Sequence, residues 1–105
     1  MNLSEEHADD AVNVAPHLHK LIFEDHKMRV LKVSVKPGDT AEMHLHPHNI
    51  NYVITAGRLR FDRPDGSSTE VDLSEGQVTN SSESSHAVAN IGDTLVETVQ
   101  VELKP

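Results

Sequence analysis

The chain has 105 residues, 36% of them hydrophobic, and a formal net charge of -8, a length that suits one domain with one core and is too short for two. No run approaches the roughly 18 unbroken apolar residues of a membrane helix, and the opening MNLSEEHADD is acidic where a signal peptide is basic and then apolar. The expected location is therefore the cytoplasm, with no membrane partner. The negative charge, with nine Lys and Arg scattered along the chain, argues against nucleic acid as a partner. Three aromatics, Phe23, Tyr52 and Phe61, are too few for a platform that stacks bases or sugar rings. Cysteine is absent, which leaves histidine and oxygen groups as the means of holding a metal. The eight histidines then stand out, because imidazole is the commonest metal ligand and titrates near neutral pH.

In chain order, residues 1–16 read as an acidic, mobile arm with little apolar surface to offset the entropy of ordering it; Ser4 offers a cap for one helical turn at Glu5 and Glu6. Residues 17–105 read as the domain proper. Leu18 to Phe23 is a short apolar strand, and Leu31, Val33 and Val35 alternate with Lys32, Ser34 and Lys36 as a half-buried strand does. After the turn signal Pro37-Gly38-Asp39, Met43 and Leu45 point one way while His44 and His46 point the other. Asn49 to Thr55 is β-branched and aromatic, Gly57 breaks it, and Leu59 and Phe61 resume the alternation before the turn at Arg63-Pro64-Asp65-Gly66. Val71 and Leu73 lead to Glu75-Gly76, a polar serine-rich loop is expected from Asn80 to Ser85, and His86 to Asn90 precedes a turn at Gly92-Asp93. Leu95, Val99, Val101 and Leu103 close the chain as a final alternating strand. About eight short strands with a turn every eight to twelve residues describe an all-β sandwich or barrel, and a jelly roll manages the edges of a sheet this small.

The chemistry concentrates between Gly38 and Gly57. Alternate residues on one strand face stand about 7 Å apart, so His44 and His46 can reach one ion at about 2.0–2.2 Å. A third ligand must come from another strand, and beyond His48 the one later histidine in the chain is His86. Three neutral imidazoles leave positions on a divalent ion open for water, oxygen or substrate.

Gly38-x5-His44-x-His46, continuing to Gly57, resembles the first motif of the cupins, and Gly76-x9-His86-x3-Asn90 resembles the second. The likeness spans Phe23 to Lys104. It implies a double-stranded β-helix barrel, a small-molecule ligand, and a divalent metal (Fe, Zn, Mn or Ni) held by His44, His46 and His86. The cupin motif also carries a glutamate ligand, and at matching spacing this chain has Ile50, flanked by Asn49 and Asn51. Ser82 and Ser84 stand where the second motif usually has proline and glycine. Strand alternation from His44 and His46 puts Ile50 inside the barrel, where an aliphatic group leaves the ion its full double charge and so favours an anionic ligand. Tyr52 and Arg60 are the other cavity candidates, for a hydrogen bond and an anion contact.

The remaining histidines lie outside the motifs, and His17-x-His19 reads as part of an exposed arm or edge strand. His48, after Pro47, reads as a solvent-facing turn residue, and Asn51 is one residue off the spacing of a substitute ligand. Glu42 shares the histidine face by parity and Glu83 sits near His86, but neither spacing marks a general base. Two functions follow: a three-histidine metal-dependent oxygenase acting on a small molecule, or a non-catalytic binding or sensor module with a degenerate or empty metal site. A homodimer is expected, because the apolar segment Leu18, Leu21, Ile22 and Phe23 is placed to cover a partner.

Overall fold

The computed structural model describes residues 9–105, and the turn expected at Ser4 to Glu6 lies outside them. A short helix α1 (Ala11–Val14) precedes β1 (His19–Glu24), β2 (Met28–Val35), β3 (Thr40–His46), β4 (Asn49–Thr55), β5 (Gly57–Asp62), β6 (Ser68–Leu73), β7 (Val78–Ser81), β8 (Ser84–Asn90) and β9 (Val96–Leu103). One sheet has the order β1-β2-β9-β4-β7 and the other β3-β8-β5-β6. Every strand pair is antiparallel. Consecutive strands β3 and β4 lie in different sheets, as do β7 and β8, so the chain closes a jelly-roll barrel by stepping between layers. Among the described residues no helix is long and apolar enough to cross a membrane.

The alternation in β2 behaves as the sequence suggests: Leu31 and Val35 are buried, and Val33 packs against the core formed by Ala15, Leu18, Val35, Ala41, Leu59, Val88 and Val96. β9 alternates as expected, but its apolar face is not the buried one. Val96, Thr98, Gln100 and Glu102 are the buried residues, while Val99, Val101 and Leu103 lie on the other face. β4 does the same, with Asn49 and Val53 buried and Ile50 and Tyr52 exposed. The reason is positional. In β4, Pro47 and His48 form the corner between the sheets, and inward parity, even-numbered at His44 and His46, becomes odd-numbered at Asn49, Asn51 and Val53; in β9 it is even-numbered again.

The serine-rich stretch is mostly strand. Asn80 and Ser81 end β7, Ser84 and Ser85 begin β8, and Ser82 and Glu83 remain as the connection. In β3 a register shift between Ala41 and His44 buries both of these residues and leaves Glu42 and Met43 exposed, so Glu42 is not on the histidine face.

The domain also begins earlier than expected. Residues 9–16, assigned above to the arm, pack against the barrel: Asp10, Ala11 and Ala15 are buried, the Asp10 carboxylate caps α1 by accepting from the Val12 N–H at 3.0 Å, and Leu45 N–H donates to Asp9 O at 2.7 Å. Charge adds to the apolar contact of Ala11 and Ala15, because Asp10 meets a buried arginine described below.

Two glycines of the first motif have mechanical roles. Gly38 adopts φ +85°, a left-handed turn conformation that side chains disfavour. At Gly57 an added Cβ would collide with Val96 Cγ2 at 2.4 Å, so the two sheets approach there as only glycine permits. Asn90, which ends the second motif, is buried and ties three segments together. Its amide donates to Val35 O and Thr94 O, each at 2.8 Å, and its oxygen accepts from Gly92 N–H at 2.9 Å. Asn90→Ala should orphan these groups and destabilise the fold by about 2–3 kcal/mol. Urea unfolding should show a lower midpoint at unchanged slope; a midpoint equal to wild type would contradict this role.

Candidate metal centre

Four histidines converge inside one end of the barrel. His44 and His46 come from β3, His86 from the paired strand β8, where it stands directly opposite His44, and His19 from β1 of the other sheet. Ring centroids are 4.8 Å apart for His44 and His46, 4.8 Å for His44 and His86, and 5.0 Å for His46 and His86. His19 lies 5.2 Å from His44 and 5.4 Å from His46. Ligand nitrogens of His19, His44 and His46 all lie within 4.8 Å of one another, and these three side chains are buried. Small rotations would bring them to the roughly 2.0–2.1 Å reach of metal–imidazole bonds.

Hydrogen bonds select one ring nitrogen in each of the three buried imidazoles. His19 Nδ1 donates to Ala15 O at 3.0 Å, His44 Nδ1 to Glu42 O at 2.6 Å, and His46 Nδ1 to Glu102 Oε2 at 2.9 Å. Each acceptor is an oxygen, so Nδ1 carries the proton and the Nε2 lone pair stays available, the usual arrangement of a histidine prepared for a metal. His44 Nε2 is buried with no hydrogen-bond partner. An orphaned lone pair beside other imidazoles is costly unless a cation occupies the space it faces. The donor set thus fits a divalent ion.

Glu102 orients His46 and is itself held by Arg29. Arg29 Nη2 donates to Glu102 Oε1 at 2.7 Å and to Asp10 Oδ1 at 2.7 Å, with all three side chains buried. Burial alone would raise the Glu102 carboxyl, but the hydrogen bonds from His46 and Arg29 more than offset it and keep the group below its ordinary range. The Gln100 amide nitrogen stands 2.8 Å from the same His46 Nδ1; with the Nδ1 proton given to Glu102, the Gln100 amide must turn its oxygen toward the ring.

Sequence reasoning missed His19. It sits on β1 opposite Val33, an inward-facing residue of β2, and this pairing is the signal that marks it as interior. His17 follows the expected exposed pattern, with Nε2 on Thr40 O at 3.0 Å. Asn51, set aside above for its spacing, lines the cavity with Asn49 and donates to Asn49 Oδ1 at 2.7 Å. The three cavity candidates named with it are corrected. Ile50 and Tyr52 are on the outer face of β4, and Arg60 pairs with Asp62 at 3.3 Å outside the barrel. The cavity beside the histidines measures about 370 Å³; Val53, Leu59, Val71 and Leu73 line its apolar part, and Thr79, Ser81, Ser84 and Ser85 its polar part.

No family model matches the sequence, and no curated protein matches it. Solved structures do. A cupin domain from Bordetella pertussis Tohama I is 24% identical with a TM-score of 0.77, covering 84% of this chain and 93% of that one. This is a small cupin-fold protein. An RmlC-like cupin from Methanocaldococcus jannaschii with a double-stranded β-helix fold is 12% identical over 82% of this chain and 78% of its own, at a TM-score of 0.66. A predicted oxalate decarboxylase from Thermotoga maritima is 20% identical over 83% and 79%, at 0.61. At these identities the likeness is one of fold.

Burial pushes His19 down to about 4 and His86 down to about 3, in both cases reinforced by the neighbouring imidazoles. Burial also lowers His44. A histidine held neutral in the folded chain takes up a proton more readily when unfolded, so it stabilises the fold fully above about pH 6.5 and loses that contribution as pH falls toward its folded value. The metal-free protein should therefore lose stability steadily between about pH 6.5 and pH 4. Thermal melts in chelator across that interval check this, and a melting temperature flat over the range would contradict it.

Proposed function

We propose that the protein binds one divalent metal ion through His44, His46 and His86, with His19 as a fourth imidazole, and holds a small anionic molecule in the cavity beside it. The observation that carries this reading is the buried, unpartnered Nε2 of His44 amid rings whose Nδ1 protons are already engaged. A neutral nitrogen set favours iron, zinc or nickel, whereas manganese prefers carboxylate oxygens. The predicted oxalate decarboxylase among the structural neighbours is consistent with a barrel that accepts an anion.

Among the described residues no carboxylate lines the cavity. A general base would have to be one of the histidines, and these belong to the metal set. This favours ligand binding, or oxygenase chemistry supplied by the ion, over acid–base hydrolysis. When bound, such an ion polarises an oxygen ligand as a Lewis acid or activates dioxygen. The chain itself orients the imidazoles through Glu102, Glu42 O and Ala15 O, and its valine and leucine walls exclude water. Protein purified without a tag or added metal should carry close to one equivalent of metal by elemental analysis, and His44→Ala should lose most of it while remaining folded by circular dichroism. Full occupancy in His44→Ala would overturn the site.

The homodimer expected from the sequence draws support from the outer face of the five-stranded sheet. Phe23, Val30, Val101 and Ile50 are register partners across β1, β2, β9 and β4, and Tyr52 and Val78 extend the stripe across β4 and β7. Nearby Lys32 and Glu97 neutralise each other at 3.0 Å. Copies of a chain charged -8 repel each other except where no net charge lies, and this uncharged stripe lets a second copy pair with itself about a two-fold axis. Sedimentation at micromolar concentration should show a dimer, and Ile50→Asp should give a monomer with unchanged metal content. A wild-type monomer throughout that range removes the dimer.

A further inference from the structure

The cavity has a second polar feature, on a different strand from the histidines. Arg63 follows the end of β5 and lines the mouth of the cavity, on the same side as Leu59 and Phe61. It is the one Lys, Arg, Asp or Glu among the described lining residues. In a chain with seventeen carboxylates and a net charge of -8, a cavity edged by a cation and no anion runs against the overall composition.

Arg63 also differs from every other arginine in the chain. Arg29 is bound by Asp10 and Glu102, Arg58 by Glu70 and Asp72, and Arg60 by Asp62. Among the described residues Arg63 forms no ion pair. Hydroxyls position it instead: Nη2 donates to Thr69 Oγ1 at 2.6 Å and Nη1 to Ser67 Oγ at 3.4 Å. Asp65 is near enough to sense the charge, yet its Oδ1 accepts from Ser67 N–H and Ser67 Oγ–H. A guanidinium held by neutral groups keeps its planar fork available for an anion, and carboxylate geometry matches that fork.

Strand register gives the position along the barrel. Phe61 pairs with Val88 and Asp62 with Ala87, which brings the residue after Asp62 level with His86. The Phe61 ring lies 4.9 Å from that of His86, and the charge of Arg63 contributes to holding His86 neutral. In the other direction along β5 and β6 the lining becomes apolar, through Phe61 and Val71 to Leu59 and Leu73. The cavity therefore has a cationic end beside the histidines and an aliphatic end beyond, and at about 370 Å³ it sits near the lower bound of about 300–1,000 Å³ for ligand pockets.

We propose that Arg63 is the specificity-determining residue of this cavity, and that its ligand is a small monocarboxylic acid whose carboxylate meets the guanidinium while a short apolar body lies against Phe61, Leu59 and Val71. This rests on the cavity being a small-molecule site, as proposed above. Hexanoate and its neutral isostere hexanamide are the probes, titrated into metal-loaded protein by calorimetry. Wild type should prefer hexanoate by about tenfold or more, the scale of a charged hydrogen bond. Arg63→Gln should abolish that preference by weakening hexanoate alone, with metal content and fold unchanged, and Arg63→Lys should restore part of it. Equal binding of the two probes to wild type, or undiminished hexanoate binding by Arg63→Gln, overturns the role of Arg63 and leaves the cavity a ligand site. Hexanamide binding without hexanoate binding does the same. Failure of both probes at millimolar concentration removes the ligand-site reading and this inference together. Metal content, measured separately, reports on the histidines alone.

Discussion

A guanidinium shared between two buried carboxylates organises this protein. Arg29 takes a proton-rich fork out of water, a step that costs several kcal/mol unless partners of opposite charge accept its hydrogen bonds. Asp10 and Glu102 accept them, and since two carboxylates exceed one cation, the remaining lone pairs need further donors. His46 Nδ1–H supplies one to Glu102 and the Val12 N–H supplies one to Asp10. Satisfying one charge thereby pins the segment before β1, fixes the tautomer of a central imidazole, and joins β2 to β9. The same chain of bonds explains why residues 9–16 belong to the barrel despite their polar composition.

A second consequence concerns which side of a strand is inside. In β4, β7 and β9 the inward positions are largely polar, including Asn49, Asn51, Thr79, Ser81, Thr98 and Gln100, and the apolar residues face out. The usual rule assumes that the interior is dry and structureless. Here part of it is a lined cavity with a nitrogen-rich centre, where polar groups find partners, and the aliphatic residues displaced from it make the outer stripe of the sheet. Packing of the ordinary kind gathers around Leu18, Val35, Leu59, Val88 and Val96, and all of these but Leu18 also wall the cavity.

That division accounts for what the sequence revealed. Strands that pack on the dry core, such as β2, show their alternation openly. The spacing of Gly38, His44, His46, His86 and Asn90 located the two strands that carry most of the site, because glycine-made turns and a paired register leave marks at fixed distances. The inward placement of Ile50 fails because alternation cannot be carried through a corner between sheets, and hydrophobicity alone does not tell which face of β9 is buried. His19 left no local mark. Its place depends on β1 pairing with β2 and on Ala15 O accepting from its Nδ1, both products of tertiary structure.

The order β1-β2-β9-β4-β7 puts β9, far along the chain from both of the strands it joins, in the middle of its sheet. Until β9 is in place, β2 and β4 have no neighbour to bridge them, Arg29 lacks Glu102, and His46 has no acceptor for its Nδ1 proton. The barrel and its histidine cluster therefore mature in one late, non-local step, the kind of event that makes β-rich chains slow to fold. Without β9 the facing edges of β2 and β4 would stand unpaired and His46 would lack the carboxylate that orients it, so sheet closure and the ordering of the histidine cluster depend on the same strand.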